Sequence, residues 1–268
     1  MAYLQAVFLG LVQGITEFLP ISSTAHLLVV TQFLAWDNVG EKYYIDAIQF
    51  GSVVAVFLYF AQDIRALLGG AWQAVKGRDW QREEWRIVMG ITIGTVPVLA
   101  LGYIFRDAIP ESPLVIGATS IGMAILLGLA EITGARRRQF SDLGMGDGLL
   151  VGLGQAIALI PGASRSGCTL TTALFLGMER RTAARFSFLL GIPTLTIATL
   201  FQSRQAFGNN EDLLLLIIGM ISSFLFSYLA IAWLLKFFQT RSSWIFIWYR
   251  LAFGLVLIGT SIWFGKID

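Results

Sequence analysis

The chain has 268 residues, 56% of them hydrophobic and only 13% charged, with a mean hydropathy of +0.72. Soluble domains carry about 25% charged residues, so that class is excluded, and continuous rather than alternating apolar runs argue against a β-barrel. The net charge is +2, nothing resembles a nucleic-acid patch, and the single Cys168 excludes an internal disulfide framework.

The N-terminus lacks a basic n-region and an Ala-x-Ala site, so no cleaved signal peptide is expected. Residues 1–19 are apolar but broken by Gln13, Thr16 and Glu17, and Pro20 ends them. Ser22 or Ser23 then suits the N-cap of a second helix reaching about Trp36. Two half-length helices around a polar turn predict a re-entrant hairpin, which survives at membrane depth only where it lines a protein cavity.

Spans of about the ~20 residues a bilayer needs follow at 43–62, 85–105 and 113–132. Between the first two, residues 62–84 carry Trp72, Lys76, Arg78 and Trp80 and read as an amphipathic surface segment. Arg136, Arg137 and Arg138 mark a loop, after which the pattern repeats. A hairpin over 145–178 turns at Pro161 and Gly162, and spans follow at 181–202, 212–236 and 244–264.

The expected fold is therefore an all-α polytopic membrane protein, one integral membrane domain over 1–268. It is an inverted repeat of a re-entrant helical hairpin plus three transmembrane helices, twice. The halves are 1–133 and 142–268, linked by a basic cytoplasmic loop at 134–141. Placing the loops 63–84, 133–147, 178–185 and 236–243 in the cytoplasm collects most of the Lys and Arg there. Lys42, Arg106, Arg204 and Lys266 fall on the other side. Hairpin one then dips in from outside and hairpin two from the cytoplasm.

Both hairpins follow the same plan: Gln13 or Gln155, an apolar stretch, Pro20 or Pro161, then small hydroxyl residues. Helix N-termini present unpaired N–H groups, so two that converge make an anion site. Arg165 adds a fork suited to phosphate, and Ser164, Ser166 and Thr169 add hydroxyl donors. Ser22, Thr24 and Gly162 complete the candidate phosphate-binding set. Ser23 and His26 share the first turn of a helix, so His26 is placed to take a proton from Ser23, directly or through water. Glu17 fits either as a metal ligand or as the group orienting His26. A carboxylate beside a phosphate calls for a bridging Mg²⁺ or Ca²⁺. Cys168 reads as a small packing residue, and Arg250, six residues into its span, as a side chain that snorkels or pairs structurally.

The runs QGITEFLPISSTAH and PGASRSGCT resemble the two signature motifs of the undecaprenyl pyrophosphate phosphatase family, the bacitracin-resistance proteins. IQFGSVVAVF at 48–57, RFSFLLGIP at 185–193 and YR at 249–250 extend the likeness over nearly the whole chain. The resemblance implies a divalent-metal-dependent enzyme of the bacterial cytoplasmic (inner) membrane, its site open to the periplasmic side. It implies removal of the terminal phosphate of undecaprenyl pyrophosphate, yielding the lipid carrier of peptidoglycan synthesis. Ser23, His26, Glu17 and Arg165 fall on its catalytic positions, and Gln13 and Glu17 on its acidic pair. Gln13 departs from the pattern, since members often carry Glu there. A homodimer is compatible with the sequence. The alternative function is a lipid-phosphate transporter or flippase, because inverted repeats also build alternating-access carriers.

Overall fold

The computed structural model of the protein describes residues 1–34, 36, 42–105, 112–202 and 213–264. Among these, eleven α-helices account for the architecture and no strand forms beyond an isolated bridge between Arg138 and Met178. The first hairpin is α1 (Ala2–Phe18) and α2 (Ser23–Leu34), and the second is α7 (Met145–Ala156) and α8 (Arg165–Phe175). At 12, 12 and 11 residues, α2, α7 and α8 fall short of a bilayer span, and α1, with 17, sits at its lower limit.

Among the described residues, five helices are long and apolar enough to cross a membrane: α5 (Glu83–Phe105), α6 (Pro113–Thr133), α9 (Arg180–Gln202), α10 (Leu213–Phe237) and α11 (Trp244–Phe264). The span expected at 43–62 is α3 (Lys42–Tyr59), which meets that test only together with α4 (Ala61–Gly77), bent from it by 63°. The segment expected to lie on the surface is α4 itself. It buries Leu67, Gly70, Ala71 and Ala74 and exposes Leu68, Trp72 and Lys76, with the Lys76 ammonium 5.1 Å from the Trp72 ring.

Helix packing follows the positions of small residues. In lipid no hydrophobic force draws helices together, so close approach and dispersion must do it. α1 runs along α10, with Gly10 and Gly14 seated on Gly219, Ser223 and Ser227. A Cβ at Gly14 would come 2.6 Å from the Ser223 carbonyl oxygen. α7 runs along α5 in the same manner, with Gly148 and Gly152 pressed on the backbones of Gly90 and Gly94. The first helix of each hairpin is thus held by a spanning helix that follows the other hairpin in sequence. The apolar core beneath the tips includes Phe18, Phe60, Phe186 and Phe188, with Phe18 and Phe188 edge to face at 5.4 Å. Exposed Val96, Leu129, Leu225, Trp248 and Leu255 form an apolar outer surface that only a membrane suits.

One end of the molecule is tied by ions. Arg185 pairs with Asp63, and Glu131 takes both Arg180 and, at 3.1 Å, Arg136. The Ser243 amide donates to Glu131 at 3.3 Å. Arg138 grips Asp147 through two bonds of 2.6 and 2.8 Å, which push its pKa above the ordinary guanidinium value. These contacts bring the four segments 63–84, 133–147, 178–185 and 236–243 to the same end. Arg106, Arg204 and Lys266, expected at the other end, lie outside the described residues.

Candidate active site

Pro20 disfavours helix at the residue before it, and Leu19 is extended at φ −70° and ψ 144°, which stops α1. The chain turns within three residues, the Ile21 amide donating to the Leu19 carbonyl at 2.8 Å, and α2 starts at Ser23. In the second hairpin α8 starts at Arg165, four residues after Pro161, with Gly162 at φ 88° in the turn. A Cβ at Gly162 would stand 2.6 Å from the Ile116 carbonyl, so only glycine fits there.

Ser22 and Ser164, each just before a hairpin's second helix, both have positive φ, 75° and 71°. Such a backbone costs a non-glycine residue about 1–3 kcal/mol and concentrates at functional sites. The Ser164 hydroxyl caps α8 by accepting from the Gly167 amide at 3.1 Å.

The two tips touch. Glu17, 8% exposed, is the centre of the contact. Its Oε1 takes Arg165 Nη2 at 3.1 Å, and its Oε2 accepts from Gln13 Nε2 at 3.0 Å and from the Ser23 hydroxyl at 2.7 Å. A second bridge runs from the Ser166 hydroxyl to the Leu19 carbonyl at 2.9 Å. Arg165 passes so close to α9 that a Cβ at Gly191 would collide with its Nη1. Its Nε is buried and has no hydrogen-bond partner among the described residues, so the guanidinium keeps donor capacity beyond the ion pair.

His26 is held differently from the expectation. Its Nδ1 lies 2.7 Å from the Ser22 carbonyl, which can only accept, so Nδ1 carries the proton. Nε2 then presents a lone pair, which accepts from the Tyr249 hydroxyl at 2.5 Å. The ring stacks on Phe253 at 4.5 Å. Ser23 and His26 share a turn, but the Ser23 hydroxyl is bonded to Glu17 rather than to the imidazole.

The remaining candidates divide. Ser23 is partly exposed and Thr24 exposed at the tip. Thr169 is fully buried, and its hydroxyl bonds the Arg165 carbonyl at 2.9 Å and the Ser187 hydroxyl, fastening α8 to α9. Cys168 packs in the interior beside Met123.

Two residues on α11 hold the site in a way sequence reasoning missed. Tyr249 anchors His26, and Arg250, 1% exposed, sends its guanidinium inward between the tips. It does not snorkel; it is held structurally, the other reading its position allowed, and its partners are the carbonyls of Pro20, Gly162, Ala163 and Ser120. The available signal was its depth, since an arginine so far inside a span costs about 3 kcal/mol on insertion scales and must find partners.

For metal binding, no group of three His, Cys, Asp or Glu side chains occurs among the described residues. Glu17, the Gln13 amide oxygen and Ser23 offer a hard oxygen set with one carboxylate. That set suits Mg²⁺ or Ca²⁺ once a substrate's phosphates supply further oxygens.

The family model described as bacitracin resistance protein BacA matches residues 6–256. A protein of Thermosynechococcus vestitus is 59% identical over 96% of this chain and 95% of its own length. One of Synechococcus sp. strain JA-3-3Ab is 50% identical over 97% and 95%. One of Trichormus variabilis is 49% identical over 97% and 84%. All three are named undecaprenyl-diphosphatase. With a match over nearly all its length and both hairpin tips inside it, the chain belongs to the bacitracin resistance protein BacA family.

Proposed function

We propose that the chain hydrolyses undecaprenyl diphosphate to undecaprenyl phosphate and inorganic phosphate. This returns the lipid carrier to peptidoglycan synthesis and confers bacitracin resistance. The observation that carries the reading is the meeting of Glu17, Ser23 and Arg165 at the joined tips. A plain binding site has no need of a serine hydroxyl held 2.7 Å from a carboxylate.

In this reading Arg165 and the amides at the start of α8 bind the terminal phosphate. Ser23 Oγ bonds to its phosphorus as the bridging P–O bond breaks, and undecaprenyl phosphate leaves. The Ser23 proton passes to Glu17, its observed hydrogen-bond partner, and not to His26 as the helical spacing had suggested. Water then cleaves the phosphoserine, releasing phosphate and restoring the hydroxyl. Neutral His26, locked by Ser22 and Tyr249, sets the first turn of α2. Glu17, Gln13 and Ser23 would hold a Mg²⁺ or Ca²⁺ carried in with the diphosphate. When bound, the ion neutralises phosphate charge beside the carboxylate.

In this reading the polyprenyl tail lies in a shallow apolar groove of about 320 Å³, lined by Ile15, Leu19, Phe226, Leu229, Ala230 and Trp233, beside Leu19, whose carbonyl joins the tips. We also place the halves 1–133 and 142–268 in opposite orientations in the cytoplasmic membrane, with the site open to the periplasm. The basic ends gathered by Glu131, Asp63 and Asp147 support that placement.

The test is phosphate release from undecaprenyl diphosphate by purified protein in detergent, with and without EDTA. Release that EDTA abolishes supports the reading. Lipid movement across liposomes without any release would instead support the transporter alternative.

A further inference from the structure

We propose that Arg250 is a positioning residue that aims both hairpin tips at the diphosphate. The inference rests on the phosphatase reading above. Arg250 is 1% exposed and stands behind the tips. Its Nη1 donates to the Pro20 carbonyl at 3.0 Å, and its Nη2 to the Gly162 and Ala163 carbonyls at 2.8 and 3.1 Å. Its Nε reaches the Ser120 carbonyl of α6 at 3.3 Å. One planar group therefore grips both hairpins and the helix behind them.

The peptide unit converts this grip into an anion site. In a trans peptide the N–H points opposite to the C=O. Drawing the Ala163 carbonyl back to Arg250 turns the Ser164 amide away from Arg250, toward the start of α8. Drawing back the Pro20 and Gly162 carbonyls removes negative lone pairs from the face that meets phosphate. The Ile21 and Ala163 amides close their own turns, bonding Leu19 and Ile160. The face left for an anion is then built of amide groups at the start of the second helices. A lysine keeps the charge but lacks the fork that spans two hairpins.

The experiment compares phosphate release by the parent, Arg250→Gln and Arg250→Lys, each judged folded by a monodisperse elution profile and by thermal unfolding in detergent. The expected result is a kcat lower by about 100-fold in Arg250→Gln, the scale of an ångström-sized misplacement. Arg250→Lys is expected to recover about a tenth of the parental kcat, because charge without the fork restores only part of the alignment. A merely structural role would lower the melting temperature and yield and leave kcat per folded molecule unchanged, and that result would overturn the proposal. So would a fully active Arg250→Lys. Should both variants fail to fold, Gly167→Ala takes their place, since its added methyl would stand 3.1 Å from Nη1 and equally close to the Ser164 Cβ, pressing on the guanidinium and on the turn it holds without removing either. A loss of kcat of about tenfold is expected there, and parental kcat would overturn the proposal. An inactive parent would count against the phosphatase reading itself, which separates the two failures.

Discussion

Glu17 and Arg165 form an ion pair at 3.1 Å across 148 positions of sequence, joining the ends of two hairpins. Both side chains are largely buried, so each needs the other. Glu17→Gln removes the proton acceptor for Ser23 and leaves Arg165 uncompensated. We expect phosphate release to fall by about 10³-fold, the range of a lost general base. Stability should drop by about 3 kcal/mol, the scale of a broken buried pair. Kinetics and thermal unfolding in detergent, on the same preparation, check both.

Ser22 and Ser23 are adjacent but differently employed. Ser23 donates to Glu17, whereas Ser22 serves His26 through its backbone carbonyl. Ser23→Ala should therefore abolish both turnover and any phosphoserine trapped by acid quenching. Ser22→Ala should keep the intermediate and lose activity by less than about tenfold, since no reacting atom is removed. Mass spectrometry of quenched protein distinguishes them, and a fully active Ser23→Ala protein would exclude Ser23 as nucleophile.

Two glycines should fail in opposite ways. Gly191 makes room for the Arg165 guanidinium, so Gly191→Ala displaces a phosphate-binding group. The expected effect is a rise in KM of about tenfold with little change in melting temperature. Gly148 lies against the Gly90 backbone, where a larger residue has no flexible neighbour to move. Gly148→Leu should cost at least about 1–3 kcal/mol through overpacking and lower the folded yield, as read by size-exclusion chromatography.

Metal should bind with substrate rather than before it, because the carboxylate bonded to Gln13 and Ser23 is that of Glu17 alone among the hydrogen bonds of the described site residues, and a single carboxylate holds a hard cation weakly. Electron paramagnetic resonance titration with Mn²⁺ should show weak binding alone and stronger binding with a non-hydrolysable diphosphate. Gln13→Glu adds a second carboxylate and should tighten Mn²⁺ binding by about tenfold. No gain in that variant would place the metal elsewhere.

Much of this was legible in the sequence, for identifiable reasons. The hairpins announced themselves because Pro20 and Pro161 interrupt apolar runs amid hydroxyl residues that lipid does not tolerate. That Glu17 and Arg165 belong to one site followed from reading the two tips as converging on an anion; their direct ion pair did not. The orientation of His26 did not follow: spacing places it on the same face as Ser23, but the ring direction is set by Tyr249, 223 positions away. A structural role for Arg250 was legible, but its place between the tips was not, because its partners are backbone carbonyls, which carry no residue identity to read. The interlocking of α1 with α10 and of α7 with α5 was equally hidden, since glycine spacing shows that a helix can be approached closely but not by which partner.

The central claim is that the joined tips form a single phosphate-cleaving site, and Arg165 tests it most directly. Phosphate release from undecaprenyl diphosphate should be measured for the parent, Arg165→Lys and Arg165→Ala, all folded. The account predicts metal-dependent release by the parent, a loss of at least about tenfold in Arg165→Lys, where charge remains without the fork, and no detectable turnover in Arg165→Ala. A folded Arg165→Ala protein that turns over at the parental rate would contradict it.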